Sequence, residues 1–188
     1  MKRILIAMAM AASVPFAANA AEGVTYNYVT AGYQASNGDV DADGYAARGS
    51  VAFHDNFHVF GGFGNQDIDD TPLDFDRYNI GLGYNLEITP RTDLLARVAY
   101  EKLDGGTVLG QDLDFDGWST EVGVRGLLAQ NFDGYALVGY EDFDGGIDGD
   151  FYGRLGANVN FTPNWGINGD VKFNGDVTEW FVGPRFTW

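Results

Sequence analysis

The sequence predicts an all-β protein, specifically a closed antiparallel up-and-down transmembrane β-barrel of ten strands. Apolar and polar residues alternate along most segments, as they do in strands that separate an apolar from a polar environment. Two kinds of connection also alternate strictly, so that a hairpin unit repeats five times. Signals for helix starts and stops are nearly absent, whereas glycine is abundant, with 27 residues. Eight spanning strands remain possible if two segments lie outside the membrane.

The first 20 residues have the pattern of a cleaved secretory signal peptide. Basic Met1-Lys2-Arg3 precedes an apolar run at 4–17, and the small residues Ala18-Asn19-Ala20 fit a cleavage site. The run is too short for a membrane-spanning helix, although a retained N-terminal anchor is the alternative. We therefore expect cleavage after Ala20 and a mature barrel domain over 21–188.

The charge of the mature chain excludes several classes of function. Loss of Lys2 and Arg3 lowers the number of basic residues from 11 to 9, against 27 acidic ones, for a net charge of −18. This balance argues against a nucleic-acid partner and against electrostatic attraction to anionic lipid. The chain contains no cysteine, so disulfides and thiolate metal sites are excluded.

The connections divide the chain into its strands. The short ones are "HDNF" (54–57), "TPRT" (89–92), "AQNF" (129–132) and "TPNW" (162–165). The Asp/Gly-rich ones are "SNGDVDAD" (36–43), "DIDDTPLD" (67–74), "LDGGTVLGQD" (103–112), "FDGGIDGD" (143–150) and "NGDV" (174–177). The predicted strands are 24–35, 44–54, 57–66, 75–87, 93–102, 113–129, 133–142, 151–162, 166–173 and 178–188.

Each strand has one apolar and one polar face. In the fourth, Tyr78, Ile80 and Leu82 alternate with Arg77 and Asn79, and the fifth, sixth, eighth and ninth follow the same rule. The last strand carries apolar residues at every second position up to Trp188, with Phe181 as the exception.

The polar face indicates a membrane barrel with a charged lumen rather than a soluble barrel. Most of its basic residues are Arg, which suits a crowded interior of bidentate ion pairs, whereas a solvated face usually mixes Lys with Glu. The predicted lumen charge network consists of Arg48, Arg77, Arg97, Glu101, Glu121, Arg125, Glu141, Arg154, Asp170, Lys172, Glu179 and Arg185.

Aromatic residues near strand ends support the same interpretation, because membrane barrels carry an aromatic girdle at each interface. The candidates on the apolar face are Phe53, Phe57, Tyr84, Tyr100, Trp118, Tyr135, Phe161, Trp165, Phe173, Trp180 and Trp188. We therefore expect a location in the bacterial outer membrane, with lipid and lipopolysaccharide as partners. The alternating apolar residues that end in Phe186 and Trp188 predict a signal for the barrel-assembly machinery.

Segments spread over most of the mature chain resemble a family of small xanthomonad-type outer-membrane proteins. They are "GVTYNYVTAGY" (23–33), "NFHVFGGF" (56–63), "TPRTDLLARVAYEKLD" (89–104), "LDFDGWSTEVGVRG" (113–126), "DFYGRLGANVNFTPNWGINGDVKF" (150–173) and "WFVGPRFTW" (180–188). That family was once proposed to activate a plant immune receptor. The resemblance implies an outer-membrane barrel without enzymatic activity and with links to biofilm, motility and virulence. It supplies no ligand or catalytic residue.

No motif for catalysis or for a cofactor stands out. "DVDADG" (39–44) and "DLDFDG" (112–117) match the first half of a calcium loop, but Ser50 and Gly123 occupy the positions that require Glu. The chain has two histidines, His54 and His58, both beside the first short turn, and it lacks nucleophile-elbow and zinc-protease motifs. We expect no enzyme, no cofactor and no metal site.

A structural, adhesive or surface-interaction role through acidic loops is the function that these features favour. A barrel of about eight strands fills its lumen with side chains, so ten strands lined by Arg and Glu should be nearly plugged. The alternatives are a narrow ion-conducting pore and, less favoured, a soluble periplasmic ligand-binding barrel.

Overall fold

A computed structural model describes residues 21, 23–38, 40–69, 71, 73–108, 111–145 and 147–188, so the predicted signal peptide lies outside the described residues. The strands are β1 (Tyr28–Asn37), β2 (Ala42–His54), β3 (Phe57–Ile68), β4 (Asp74–Thr89), β5 (Thr92–Val108), β6 (Gln111–Ala129), β7 (Phe132–Phe143), β8 (Ile147–Asn160), β9 (Trp165–Asn174) and β10 (Val177–Thr187).

These strands form a closed antiparallel barrel in which each strand pairs with its neighbours in sequence and β1 pairs with β10. The prediction of a closed ten-stranded up-and-down barrel is confirmed, and the eight-stranded alternative is wrong. Because the number of strands is even, β1 begins and β10 ends at the same edge. We call this the turn edge, since the short connections at 55–56, 90–91, 130–131 and 161–164 lie there, and the opposite edge the loop edge.

One backbone hydrogen bond recurs at all four short connections. The carbonyl oxygens of Asn56, Arg91, Asn131 and Asn164 each accept a hydrogen bond, at 2.8 or 2.9 Å, from an amide of an adjacent strand. At two of the turns the asparagine side chain adds a second bond, since Asn56 Nδ2 and Asn164 Nδ2 each donate to a strand carbonyl at 2.8 Å. The side-chain bond gives Asn56 and Asn164 a structural role in their turns.

The first strand starts later than the sequence predicts. Residues 24–27 do not extend β1 but lie with Ala21 inside the turn edge of the barrel, where Ala21, Val24 and Tyr26 pack with Leu95 and Leu137. The alternation of "VTYN" resembles that of a strand, but its apolar residues are buried in the lumen instead of facing outward. The short segment therefore fills one end of the cylinder.

The exterior of the barrel is apolar. Among its exposed side chains are Phe151, at 75% relative exposure, Leu82, Val98 and Val138. Polar groups such as Glu101, Asp170 and Lys172 are buried instead. This distribution is the reverse of that of a water-soluble protein and matches a barrel surrounded by lipid. Within the described residues, no helix is long and apolar enough to cross a membrane.

Most of the predicted girdle residues are exposed on this surface, including Phe53, Phe161 and Trp165. The prediction that Tyr135 belongs to the outer girdle is wrong. Its ring packs against the buried cluster that contains Leu95 and Leu137, and it lines the lumen. The sequence pattern suggested otherwise because the lumen-facing residues around it, Leu137 and Gly139, are not polar. Near the turn edge the lumen is partly apolar, so the polarity of a residue does not always identify its face.

Candidate functional site: the charged lumen

Strand alternation and register bring the predicted lumen residues together. Arg97 on β5 and Glu121 on β6 are direct partners in the antiparallel ladder, so their side chains leave the same face of the sheet. All seven of the predicted cations and all five of the predicted anions lie in the lumen or at its rim, and most form ion pairs with one another.

The cluster nearest the loop edge is built around Arg77 and Lys172. Arg77 lies 3.2 Å from Glu101, 2.8 Å from Glu141 and 3.6 Å from Glu179. Lys172, whose side chain is 2% exposed, lies 2.6 Å from Glu141 and 3.5 Å from Glu179. Two cations and three carboxylates thus form one network contributed by five strands.

Neutral donors complete this upper cluster. Ser119 Oγ donates to Glu101 Oε1 at 2.7 Å, and Asn174 Nδ2 donates to Glu141 Oε1 at 2.6 Å. Buried charges are tolerated when paired and when their remaining hydrogen-bonding capacity is satisfied. The neutral donors supply part of that capacity.

The middle of the lumen contains two separate groups of ion pairs. Glu121 lies 2.5 Å from Arg97 and 3.4 Å from Arg154, and so balances two guanidinium groups with one carboxylate. Arg48 lies 2.6 Å from Asp170 and also donates to Gln34 Oε1 at 3.2 Å.

Near the turn edge, two arginines hold the N-terminal segment in place. Arg125 pairs with Asp133 at 2.8 Å and also donates to the carbonyl oxygen of Thr25 at 2.9 Å. Arg185 donates to Asn158 Oδ1 at 3.0 Å and to the same Thr25 oxygen at 3.4 Å. Side chains from the barrel wall therefore bind this N-terminal segment at the carbonyl oxygen of Thr25.

Asp93 and Asp133 were missed as lumen residues by the sequence interpretation. Both are buried, with exposures of 0% and 3%. Each stands near the start of a strand and has the same parity as a predicted lumen charge on that strand, Arg97 for Asp93 and Glu141 for Asp133. Parity alone could have found both, but acidic residues at strand starts resemble the polar residues of turns.

Aromatic rings in the lumen form a second feature that sequence reasoning missed. Every one of the seven lumen cations lies over a ring, with distances to the centroid from 3.7 Å for Arg185 over Tyr28 to 6.0 Å for Arg154 over Tyr152. Lys172 lies 4.4 Å from the Tyr152 ring, and Arg48 lies 4.3 Å from that of Phe181. Such contacts stabilise a desolvated cation. Phe181 therefore has a clear role on the polar face of β10.

The side chains leave little free space in the lumen. A cavity of about 110 Å³ lies inside it and is lined by six of the lumen arginines together with Glu101, Glu121 and Glu179. Small-molecule sites usually measure about 300–1,000 Å³. The cavity has room for a few water molecules but not for a ligand of ordinary size.

The loop edge is strongly acidic. Outside the lumen, the acidic residues of this edge whose side chains the structure describes are all aspartates, namely Asp41, Asp43, Asp67, Asp69, Asp74, Asp76, Asp104, Asp114, Asp116, Asp142, Asp144, Asp150 and Asp176. Among the described residues of this edge that lie outside the lumen, Lys102 is the basic one, and its Nζ lies 3.2 Å from Asp114. Among the residues described, no group of three or more His, Cys, Asp or Glu side chains is arranged to hold a metal ion. Asp39, in the first of the calcium-like stretches, lies outside them.

No protein-family model matches the chain, and no curated protein matches it. Solved structures do resemble it. An outer-membrane channel from Pseudomonas putida F1 is 7% identical with a TM-score of 0.54, over 93% of this chain and 100% of the other. The KdgM porin in complex with disordered oligogalacturonate is 11% identical with a TM-score of 0.48, over 86% and 98%. The N-terminal β-barrel domain of Pseudomonas aeruginosa OprF is 11% identical with a TM-score of 0.47, over 85% and 98%.

The likeness to the Pseudomonas putida channel shows a shared fold. Together with the apolar exterior and the buried charges, that fold identifies the environment of the protein, because closed barrels with an outward apolar band are the β-structures that span outer membranes. The chain is an outer-membrane β-barrel protein.

Proposed function

We propose that this protein is a non-conducting, non-enzymatic barrel that presents an acidic edge at the bacterial cell surface. The observation that carries the proposal is the filled lumen. Ion pairs occupy the middle of the lumen and its part nearest the loop edge, and Ala21 and residues 23–27 occupy the turn edge. The cavity between these groups measures about 110 Å³.

Electrical recording in planar lipid bilayers tests this proposal. The purified protein should give no steady single-channel conductance, because ions would have to displace paired charges throughout the lumen. The double variant Arg97→Ala/Glu121→Ala removes two side chains from the middle of the lumen and should admit ions. Its matched control, Val98→Ala/Val122→Ala, removes lipid-facing side chains from the same two strands and should stay silent. Steady conductance steps from the unaltered protein would refute a closed barrel.

A narrow anion-conducting pore is the second candidate. The cavity is lined by Arg48, Arg77, Arg97, Arg125, Arg154 and Arg185, so any water path through it would run beside guanidinium groups. If the unaltered protein conducts, the reversal potential in a salt gradient should indicate selectivity for anions, and the proposal of a structural role would give way to this one.

The surface role rests on the loop edge. Its aspartates give the exposed end of the barrel a strong negative potential, which can repel anionic partners and attract cationic ones. Cells that lack the protein should differ both in outer-membrane permeability and in surface adhesion, and the intact chain should restore both. A chain with Asp69, Asp74 and Asp144 replaced by Asn should restore permeability but not adhesion. If neither property changes in cells that lack the protein, the surface role is wrong.

The absence of enzymatic activity also belongs to this proposal. The ring of His58 stacks on Tyr26 inside the lumen, with centroids 4.5 Å apart, and so has a packing role. His54 lies at the turn edge beside Phe57. The links to biofilm, motility and virulence that the family resemblance implies stay predictions, as do the lipopolysaccharide and assembly-machinery partners.

A further inference from the structure

Asp93 is the most completely buried carboxylate of the described chain, with an exposure of 0%. Each of its two carboxylate oxygens accepts a hydrogen bond from a different residue of the N-terminal segment. The backbone nitrogen of Ala21 donates to Oδ1 at 3.1 Å, and the hydroxyl group of Tyr26 donates to Oδ2 at 2.9 Å. Burial raises the pKa of the Tyr26 hydroxyl above its usual range, so this group remains a neutral donor.

No side-chain cation in the described part of the protein forms an ion pair with Asp93. Arg125 lies opposite Asp93 in the β5–β6 ladder, but its guanidinium group pairs with Asp133 instead. A carboxylate withdrawn from water without a cation is strongly destabilised. The position of Asp93 therefore calls for a positive charge that no described side chain supplies.

The predicted cleavage after Ala20 gives a new positive charge to the nitrogen that contacts Asp93. Cleavage after Ala20 hydrolyses the Ala20–Ala21 peptide bond with one water molecule, leaving a carboxylate on Ala20 and an ammonium group on Ala21. The small-residue pattern at 18–20 and the contact between Ala21 and Asp93 are independent observations, one from the sequence and one from the fold. Both observations concern the backbone nitrogen of Ala21.

We propose that removal of the signal peptide creates an α-ammonium group on Ala21 that forms a buried ion pair with Asp93 and locks Ala21 and residues 23–27 inside the turn edge. Before cleavage, the same nitrogen is an uncharged amide with a single hydrogen and cannot balance the carboxylate. Closure of this end of the barrel is then coupled to export and processing. The proposal goes beyond the non-conducting role, and it depends on the predicted cleavage site.

Amine acetylation followed by mass spectrometry tests the proposal with internal references. The mature chain has two lysines, Lys102 with a 35% exposed side chain and Lys172 with a 2% exposed one. The protein exported by cells is extracted in mild detergent and its intact mass is measured. It is then treated with an amine-acetylating reagent. We expect a chain that starts at Ala21, whose α-amino group is acetylated at least tenfold more slowly than in the denatured protein, while Lys102 reacts readily.

The variant Asp93→Asn removes the carboxylate and should raise the acetylation rate of the α-amino group at least tenfold, while Lys172 stays protected because the barrel remains folded. The control Asp144→Asn removes the same charge from an exposed turn at the loop edge and should change neither rate.

Three results would overturn the proposal. They are a mature chain that starts elsewhere, an α-amino group that reacts as fast as Lys102 in the folded protein, and an unchanged rate in Asp93→Asn. If Lys172 also becomes reactive in Asp93→Asn, the barrel has unfolded. The proposal then stands or falls with the unaltered protein, in which the α-amino group must react at least tenfold more slowly in the folded than in the denatured state. Conductance of the unaltered barrel would refute the proposed function without affecting these acetylation rates.

Discussion

The guanidinium group of Arg48 on β2 lies 2.6 Å from the carboxylate of Asp170 on β9, although two strands, β1 and β10, separate their positions in the barrel wall. These two strands form the seam where the first and last segments of the chain meet. The ion pair therefore spans the seam through the lumen and adds a second connection to the backbone ladder that closes it.

We predict that Asp170→Asn strongly destabilises the barrel. The substitution leaves Arg48 without its carboxylate inside the lumen. Breaking a fully buried pair typically costs about 3–5 kcal/mol, and because the Arg48 side chain keeps 25% exposure the loss should lie near the lower end of that range. The free energy of unfolding, measured with urea in detergent micelles, should fall accordingly. The control Asp114→Asn breaks the exposed pair with Lys102 and should have little measurable effect. Equal losses for the two variants would contradict a special role for the lumen pair.

A charge placed on the exterior should be costly in proportion to its depth. Val98 is exposed on the outer face near the middle of β5, whereas Val177 starts β10 at the loop edge. Val98→Lys should lose about 2–4 kcal/mol and Val177→Lys about 0–1 kcal/mol, because lipid exposure penalises charge most at the midplane of the bilayer. Unfolding in lipid vesicles measures both. Similar small losses would indicate that water rather than lipid surrounds the exterior.

The contact between Gly83 and the ring of His58 predicts a specific packing defect. A Cβ atom at Gly83 would overlap the ring, which is held in place by its stack on Tyr26. Gly83→Ala should therefore cost about 1–3 kcal/mol, as overpacking of a filled interior does. Gly153→Ala is the matched control, because nothing lies within 4 Å of the added atom. The stability of both variants is compared by heating the samples before electrophoresis and recording the temperature at which the band of the folded barrel disappears.

A second substitution separates overlap from backbone effects. If the ring is the obstacle, His58→Ala should reduce the cost of Gly83→Ala. The combined variant should then be more stable than the sum of the two single losses predicts. Strict additivity would place the defect in the backbone of β4 instead.

The role of the last strand in assembly remains a prediction that cells can test. Phe186 packs against Trp165, with centroids 5.0 Å apart, and against Trp188 at 6.1 Å. If these residues form an assembly signal, Trp188→Ala should lower the amount of folded barrel in the outer membrane several-fold. Refolding of the purified variant into detergent should be nearly unchanged. An equal loss in both settings would indicate a purely structural role.

The alternation of residues predicted the strand number and most residues of the two faces, because a barrel in lipid imposes one rule on every strand. It did not lead to Asp93 and Asp133, which are buried in the lumen as well. Tyr135 and the segment at 24–27 depart from the rule where apolar groups pack inside the turn edge. The partner of each charge could not be predicted. Arg97 and Glu121 are neighbours in the ladder, but Arg48 and Asp170 meet only because the sheet curves shut.

The recurrent bond from Asn56, Arg91, Asn131 and Asn164 to an adjacent strand has a consequence for how such a cylinder can change in size. Since each short turn accepts the same backbone hydrogen bond from the adjacent strand, a hairpin could be inserted or lost without requiring a new kind of contact between neighbouring hairpins. A gene that duplicates one hairpin would thus encode a wider barrel whose rim is already compatible with the rest. Barrels of different diameter could arise by copying a module rather than by redesigning the wall.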